Sequence, residues 1–130
     1  MKSRSTFRFS ASLSGLLAVA YASTGYAAVT ANWTQLSAAT SSWNVNTNPP
    51  WSSSPFPGSG AGDVANLAVG ITGAQTINLN QTITLGSLSI GDTNGSPRQN
   101  FTINSGGGFV FDNGAGTTKL TFPVFEYFSV

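Results

Sequence analysis

Cysteine and histidine are both absent from this chain, and only 7% of its 130 residues carry a charge. Without a thiol or an imidazole there is no Ser-His-Asp or Cys-His nucleophile pair, and no thiolate- or imidazole-based zinc site. Without cysteine no disulfide holds the fold, so core packing and backbone hydrogen bonds must do so. A basic surface is missing as well. Five Lys and Arg against four Asp and Glu give +1 overall, but Lys2, Arg4 and Arg8 cluster at the N-terminus. Beyond them, Arg98 and Lys119 face Asp63, Asp92, Asp112 and Glu126, a balance of −2. Nucleic-acid binding neutralises phosphates with many Lys and Arg, so no nucleic-acid partner is expected.

Long hydrophobic runs are also scarce. The apolar stretch "LSGLLAVAYA" at 13–22 is interrupted by Ser and Gly, and it falls short of the ~20 residues that span a bilayer. Preceded by the basic cluster and followed by "AYA" at 20–22 and "GYA" at 25–27, it has the three parts of a secretory signal peptide. Residues 1–28 are therefore expected to be a leader. Its removal, leaving a mature start between Ser23 and Val29, predicts an exported protein with no retained membrane span.

Paired carboxylates for glycoside hydrolysis would have to come from Asp63, Asp92, Asp112 and Glu126. The three aspartates each adjoin Gly or Asn, the setting of a turn-capping Asp. "DTNG" at 92–95 and "DNG" at 112–114 offer oxygens to calcium but complete no EF-hand loop, and "GGGFVFD" at 106–112 misses the calcium-binding nonapeptide. The sequons "NWT", "NQT" and "NFT" are expected by chance in an Asn- and Thr-rich chain. No enzyme activity, cofactor or metal is expected.

What is present is alternation. Segments 64–69, 76–80, 82–90, 101–104, 109–111 and 119–122 place Ile, Leu, Val or Phe on one face and Thr, Ser or Asn on the other, the period-two pattern of half-buried strands. Gly-, Asn- and Asp-rich turns at 91–97, 104–108 and 112–116 separate them. The irregular spacing suits a solenoid of short strands or a small antiparallel β-sandwich. Polar outward positions able to form ladders between stacked strands favour the solenoid. Two Asn-Gly pairs, a strong hairpin signal, keep the sandwich open.

Ahead of the strands lies "WNVNTNPPWSSSPFPGSGAGD" at 43–63. Trp33, Trp43 and Trp51 are candidates for a sugar-stacking platform. They also precede the first strand, where the open end of a solenoid needs cover against pairing with other chains. The cap is the preferred reading, and it predicts Trp43 and Trp51 buried near Leu67 and Ile77.

Trp33, Trp43 and Trp51, then "PGSGAGDVANL" at 57–67, "TINLNQTITLGSLSI" at 76–90 and "FTINSGGGFVFDNGAG" at 101–116, resemble the start of bacterial secreted proteins with autotransporter-associated β-strand repeats. The resemblance runs to about Leu120 and is most specific in "GDVANL" followed by "TLGSLSI". It implies a right-handed parallel β-helix displayed on or released from the cell. It divides the chain into a signal peptide at 1–28, a Trp/Pro/Gly-rich cap and linker at 29–62, β-solenoid coils at 63–122 and an atypical tail at 123–130. The tail "PVFEYFSV" lacks the Thr/Asn/Gly alternation and resembles a truncated end, an apolar edge disposed to self-association. The expected function is structural or adhesive, with surface glycans or other cell-envelope components as partners. The alternative is a secreted carbohydrate-binding β-sandwich that uses exposed Trp residues.

Overall fold

The computed structural model describes residues 26–95 and 97–123. The basic cluster and apolar run of the leader, and all of the tail beyond Pro123, lie outside the described residues. Nine short strands and no helix occur among them: β1 (Thr30–Asn32), β2 (Ala39–Ser42), β3 (Val64–Val69), β4 (Gln75–Leu79), β5 (Ile83–Leu85), β6 (Ser87–Asp92), β7 (Phe101–Ser105), β8 (Phe109–Phe111) and β9 (Lys119–Thr121). The fold is all-β.

The strands form three sheets, ordered β1-β3-β6-β9, β2-β4-β7 and β5-β8. From β3 the chain visits the four-, three- and two-stranded sheets in turn, repeats that order through β6, β7 and β8, and returns to the first sheet with β9. All six strand pairings are parallel. The only antiparallel feature among the described residues is an isolated bridge between Trp33 and Trp51. The antiparallel sandwich is therefore corrected. Its main signal was Asn-Gly, yet the turns containing Asn94-Gly95 and Asn113-Gly114 each carry the chain to a different sheet. Gly114 supplies the positive φ (+60°) of such a corner without closing a hairpin.

Alternation makes the strands, and register aligns them. Along β4, Gln75, Ile77 and Leu79 are buried while Thr76 and Asn78 are only partly so. Parallel pairing then sets like on like: Ala31 beside Ala65 and Ala65 beside Leu88, Ile77 beside Ile103, Ile83 beside Phe109, and Leu85 beside Phe111. The buried cluster runs through Ala31, Ala65, Leu67, Ile77, Leu79, Ile83, Leu85 and Leu88 together with the three tryptophans. Each fully buried Leu or Ile contributes about 1.5–3 kcal/mol relative to exposure.

Two sequence expectations needed refinement. The run 82–90 is two strands, broken at Gly86. A Cβ on Gly86 would lie 2.7 Å from Gly62 Cα and 2.6 Å from Asn113 Oδ1, so the chain turns where only glycine fits. Strands β1 and β2, "TAN" and "ATSS", had no large apolar residues to announce them. They form by pairing with β3 and β4, which makes the Trp-rich segment continuous with the sheets.

Candidate functional site

The outer strands differ at the two sides of the sheets. On the β1 side, residues 50–59 run along the free edges. Ser52 N donates to Asn32 O (2.9 Å), Thr34 N donates to Pro50 O (2.8 Å), and Thr84 N of β5 donates to Gly58 O (2.9 Å). Beneath this strap the tryptophans close the end. Trp33, Trp43 and Trp51 are 2%, 0% and 0% exposed. Trp51 meets Trp33 and Trp43 edge-on at 5.1 and 4.8 Å, and Trp43 meets Phe109 at 5.2 Å. Such pairs add about 0.5–1.5 kcal/mol each to the burial itself. Trp43 Nε1 donates to Pro57 O (2.6 Å) and Trp51 Nε1 to Trp43 O (2.8 Å). Trp33 Nε1 is buried without a partner among the described residues.

This arrangement corrects one expectation and agrees with another. The sugar-stacking alternative required exposed Trp33, Trp43 and Trp51. Their rings are packed on one another and within the core, so none presents a face to a ligand from solvent. Burial of Trp43 and Trp51 in one cluster with Leu67 and Ile77 is what the cap reading anticipated.

The aspartates serve the backbone. Asp63 has no exposed surface. Its carboxylate accepts from Val29 N (2.7 Å), Gly58 N (2.7 Å), Ser59 N (3.1 Å) and the Tyr26 hydroxyl (3.3 Å). One side chain thus ties the residue before β1 to the corner before β3. Asp92 accepts from Ile71 N, Asn94 N and Gln99 N at 2.8–3.1 Å. Partial burial of Asp92 opposes its ionisation; the backbone N–H groups of Asn94, Gln99 and Ile71, with the Arg98 charge, outweigh it and hold the carboxyl below the ordinary value of 3.8. Asp112 accepts from Gly114 N (2.8 Å). Among the described residues no three Asp or Glu gather into a group able to hold a metal ion.

On the β9 side no strap covers the sheets among the described residues, and within them strands β7, β8 and β9 each pair on one edge only. Their apolar residues, half-buried or exposed, border a groove of about 460 Å³. Leu88, Ile90, Phe101, Phe109, Phe111 and Phe122 supply its apolar wall, and Asp92, Gln99 and Asn100 its polar margin. Phe122 is 64% exposed and Leu120 49%. The Asp92 carboxylate is already engaged by three backbone donors, so the groove offers chiefly apolar contact. Sequence reasoning did not find this groove. Its signal lay in the aromatic inward positions of β7 and β8, Phe101, Phe109 and Phe111, whose burial depends on what packs against their far edge.

No family model, no curated protein and no solved structure matches this chain.

Proposed function

We propose that these residues form part of an exported, non-enzymatic parallel β-helix with a structural or adhesive role on or outside a bacterial cell. The observation that supports this reading is the repeated visit of successive strands to three sheets, with each strand from β6 onward pairing in parallel with the one three places earlier. In a solenoid each coil rests on the last in that way. The "GDVANL" and "TLGSLSI" motifs of autotransporter-associated repeats fit this pattern: the first leads into β3, and the second spans the end of β5, the Gly86 corner and the first residues of β6, so each enters the four-stranded sheet.

The outward faces support an adhesive role. Thr40, Thr76 and Thr102 are in register, as are Ser42, Asn78 and Asn104. Asn104 Nδ2 donates to Asn78 Oδ1 (3.2 Å), and Asn66 Nδ2 donates to Asn32 Oδ1 (3.0 Å). These ladders present hydroxyls and amides at the strand spacing, a surface whose chemistry suits the hydroxyl-rich glycans of a cell envelope. The test is a glycan array probed with the exported form. Binding weakened by Thr102→Ala with Asn104→Ala would support adhesion through the ladder, and no binding to any envelope component would leave only the structural role. N-terminal sequencing of exported material that returned Met1 would overturn cleavage of the leader between Ser23 and Val29.

A further inference from the structure

We propose that the outward face of β2, β4 and β7 binds an ordered, uncharged polysaccharide, one whose chains are already packed side by side in a solid. The inference rests on the adhesive reading above and names its ligand class. Thr40, Thr76 and Thr102 form one file across the three strands, and Ser42, Asn78 and Asn104 form the next, two residues further along. Neighbouring strands lie about 4.8 Å apart and alternate residues about 6.6 Å apart, so these hydroxyls and amides make a two-dimensional array. The other sheets lack this uniformity. The four-stranded sheet sets Val64 and Lys119 in register with Ser87, and the two-stranded sheet sets Val110 beside Thr84.

The chemistry of the face selects the ligand. Strands β2, β4 and β7 contain no charged residue, so nothing on them pairs with the phosphates or carboxylates of an acidic polymer. Their outward positions hold no aromatic ring, so a single sugar is not held there by stacking. Hydrogen bonding remains, and each such bond exchanged against water contributes little. A flexible oligosaccharide must also be ordered on binding, which offsets those small gains; a polymer already packed in a solid has no such cost. The protein side is ordered too. Asn104 Nδ2 donates to Asn78 Oδ1 (3.2 Å) and Asn80 Nδ2 donates to Ser42 Oγ (3.0 Å), which holds the second file in place. The hydroxyls of Thr40, Thr76 and Thr102 enter no hydrogen bond among the described residues, which leaves the first file to a ligand. Thr40, Thr102 and Asn104 are exposed, and Ser42, Thr76 and Asn78 are half-buried.

The test is sedimentation of the exported protein with microcrystalline cellulose and with chitin powder. Saturable binding to either powder is expected, unchanged in ~1 M salt, where charges are screened within ~3 Å. Thr40→Val/Thr76→Val/Thr102→Val removes the hydroxyls and keeps β-branched side chains suited to strands. It should weaken binding about tenfold or more, the loss expected when three hydrogen bonds go. Ser87→Ala/Ser89→Ala, on the four-stranded sheet, should leave binding unchanged. Thermal melts establish that the variants are folded, and Thr102→Val alone, at an exposed position of an outer strand, reads the same loss at about threefold if the triple variant is not. Binding that the Thr→Val variants leave intact, or that salt abolishes, would overturn the assignment to this face. Absence of binding to both powders would overturn the ligand class. Ladder-dependent binding to soluble glycans on the array would then keep the adhesive reading, and an empty array would remove it as well.

Discussion

Asp63 is a carboxylate with no exposed surface, and the groups around it are backbone N–H donors and a phenol. Removing an acceptor from buried donors leaves them unsatisfied at about 1–3 kcal/mol. Asp63→Ala should therefore lower stability by at least ~2 kcal/mol in urea melts, with Asp63→Asn close behind, because an amide turns two donors toward donors. Asp92 gives a pH signature instead. Its folded-state pKa lies below its ordinary value of 3.8, so the unfolded chain takes up a proton first as pH falls. Its contribution is present above that value and is lost as pH falls through the folded pKa. Urea melts across the acid range should show a shallower loss of stability for Asp92→Asn than for the parent; identical slopes would show that the network around Asp92 is not coupled to folding.

At the scale of elements, two features decide where strands begin and what closes them. Gly86 divides β5 from β6, and the atoms opposite its missing Cβ include backbone of Gly62 at 2.7 and 2.9 Å, which cannot rotate away. Gly86→Ala should cost about 1–3 kcal/mol, the range for overpacking, whereas Gly95→Ala, with nothing within 4 Å of the added carbon, should change stability little. Denaturant midpoints of the two variants make the comparison direct. The Trp cap is the second feature. Trp43 has no exposed surface, donates to Pro57 O and touches both Trp51 and Phe109. Trp43→Ala should cost about 3–5 kcal/mol and unfold or aggregate the protein. A folded Trp43→Ala variant with an unchanged melting temperature would remove the cap from the account.

For the molecule as a whole, the two sides of the sheets define its polarity. One is closed by aromatics and a strap, the other is a groove. Tyr26 extends the closed side: its hydroxyl bonds to Ser59 and Asp63, and its ring lies over Gly60, where a Cβ would come within 2.4 Å of it. On the proposed export, this bears on which leader cleavage is used. A cut after "AYA" keeps Tyr26, and a cut after "GYA" discards it. N-terminal sequencing distinguishes the two, and a form starting at Ala28 should melt at a lower temperature than one starting at Ser23. Equal stability of the two forms would show the Tyr26 contacts to be dispensable.

The sequence by itself determined the strands from β3 onward, the polar outward faces and the turn positions, because alternation and turn chemistry are properties of neighbouring residues. Segment 109–111 matches β8, and 64–69 matches β3. It also marked the tryptophans as a cap, from their place ahead of the alternating segments. Only the tertiary structure decided which strand lies beside which. Thr30 pairs with Val64 and Val64 with Ser87, contacts between residues tens of positions apart that no local pattern encodes. It alone made strands of "TAN" and "ATSS", which have no amphipathic signal and gain their hydrogen bonds from β3 and β4. It turned Asn-Gly from a hairpin signal into a corner between sheets, since the same backbone bend serves either connection. It buried Asp63 among donors drawn from separate segments. And it left Phe101, Phe109 and Phe111 around a groove, because whether an alternating strand is buried depends on what packs against its far edge.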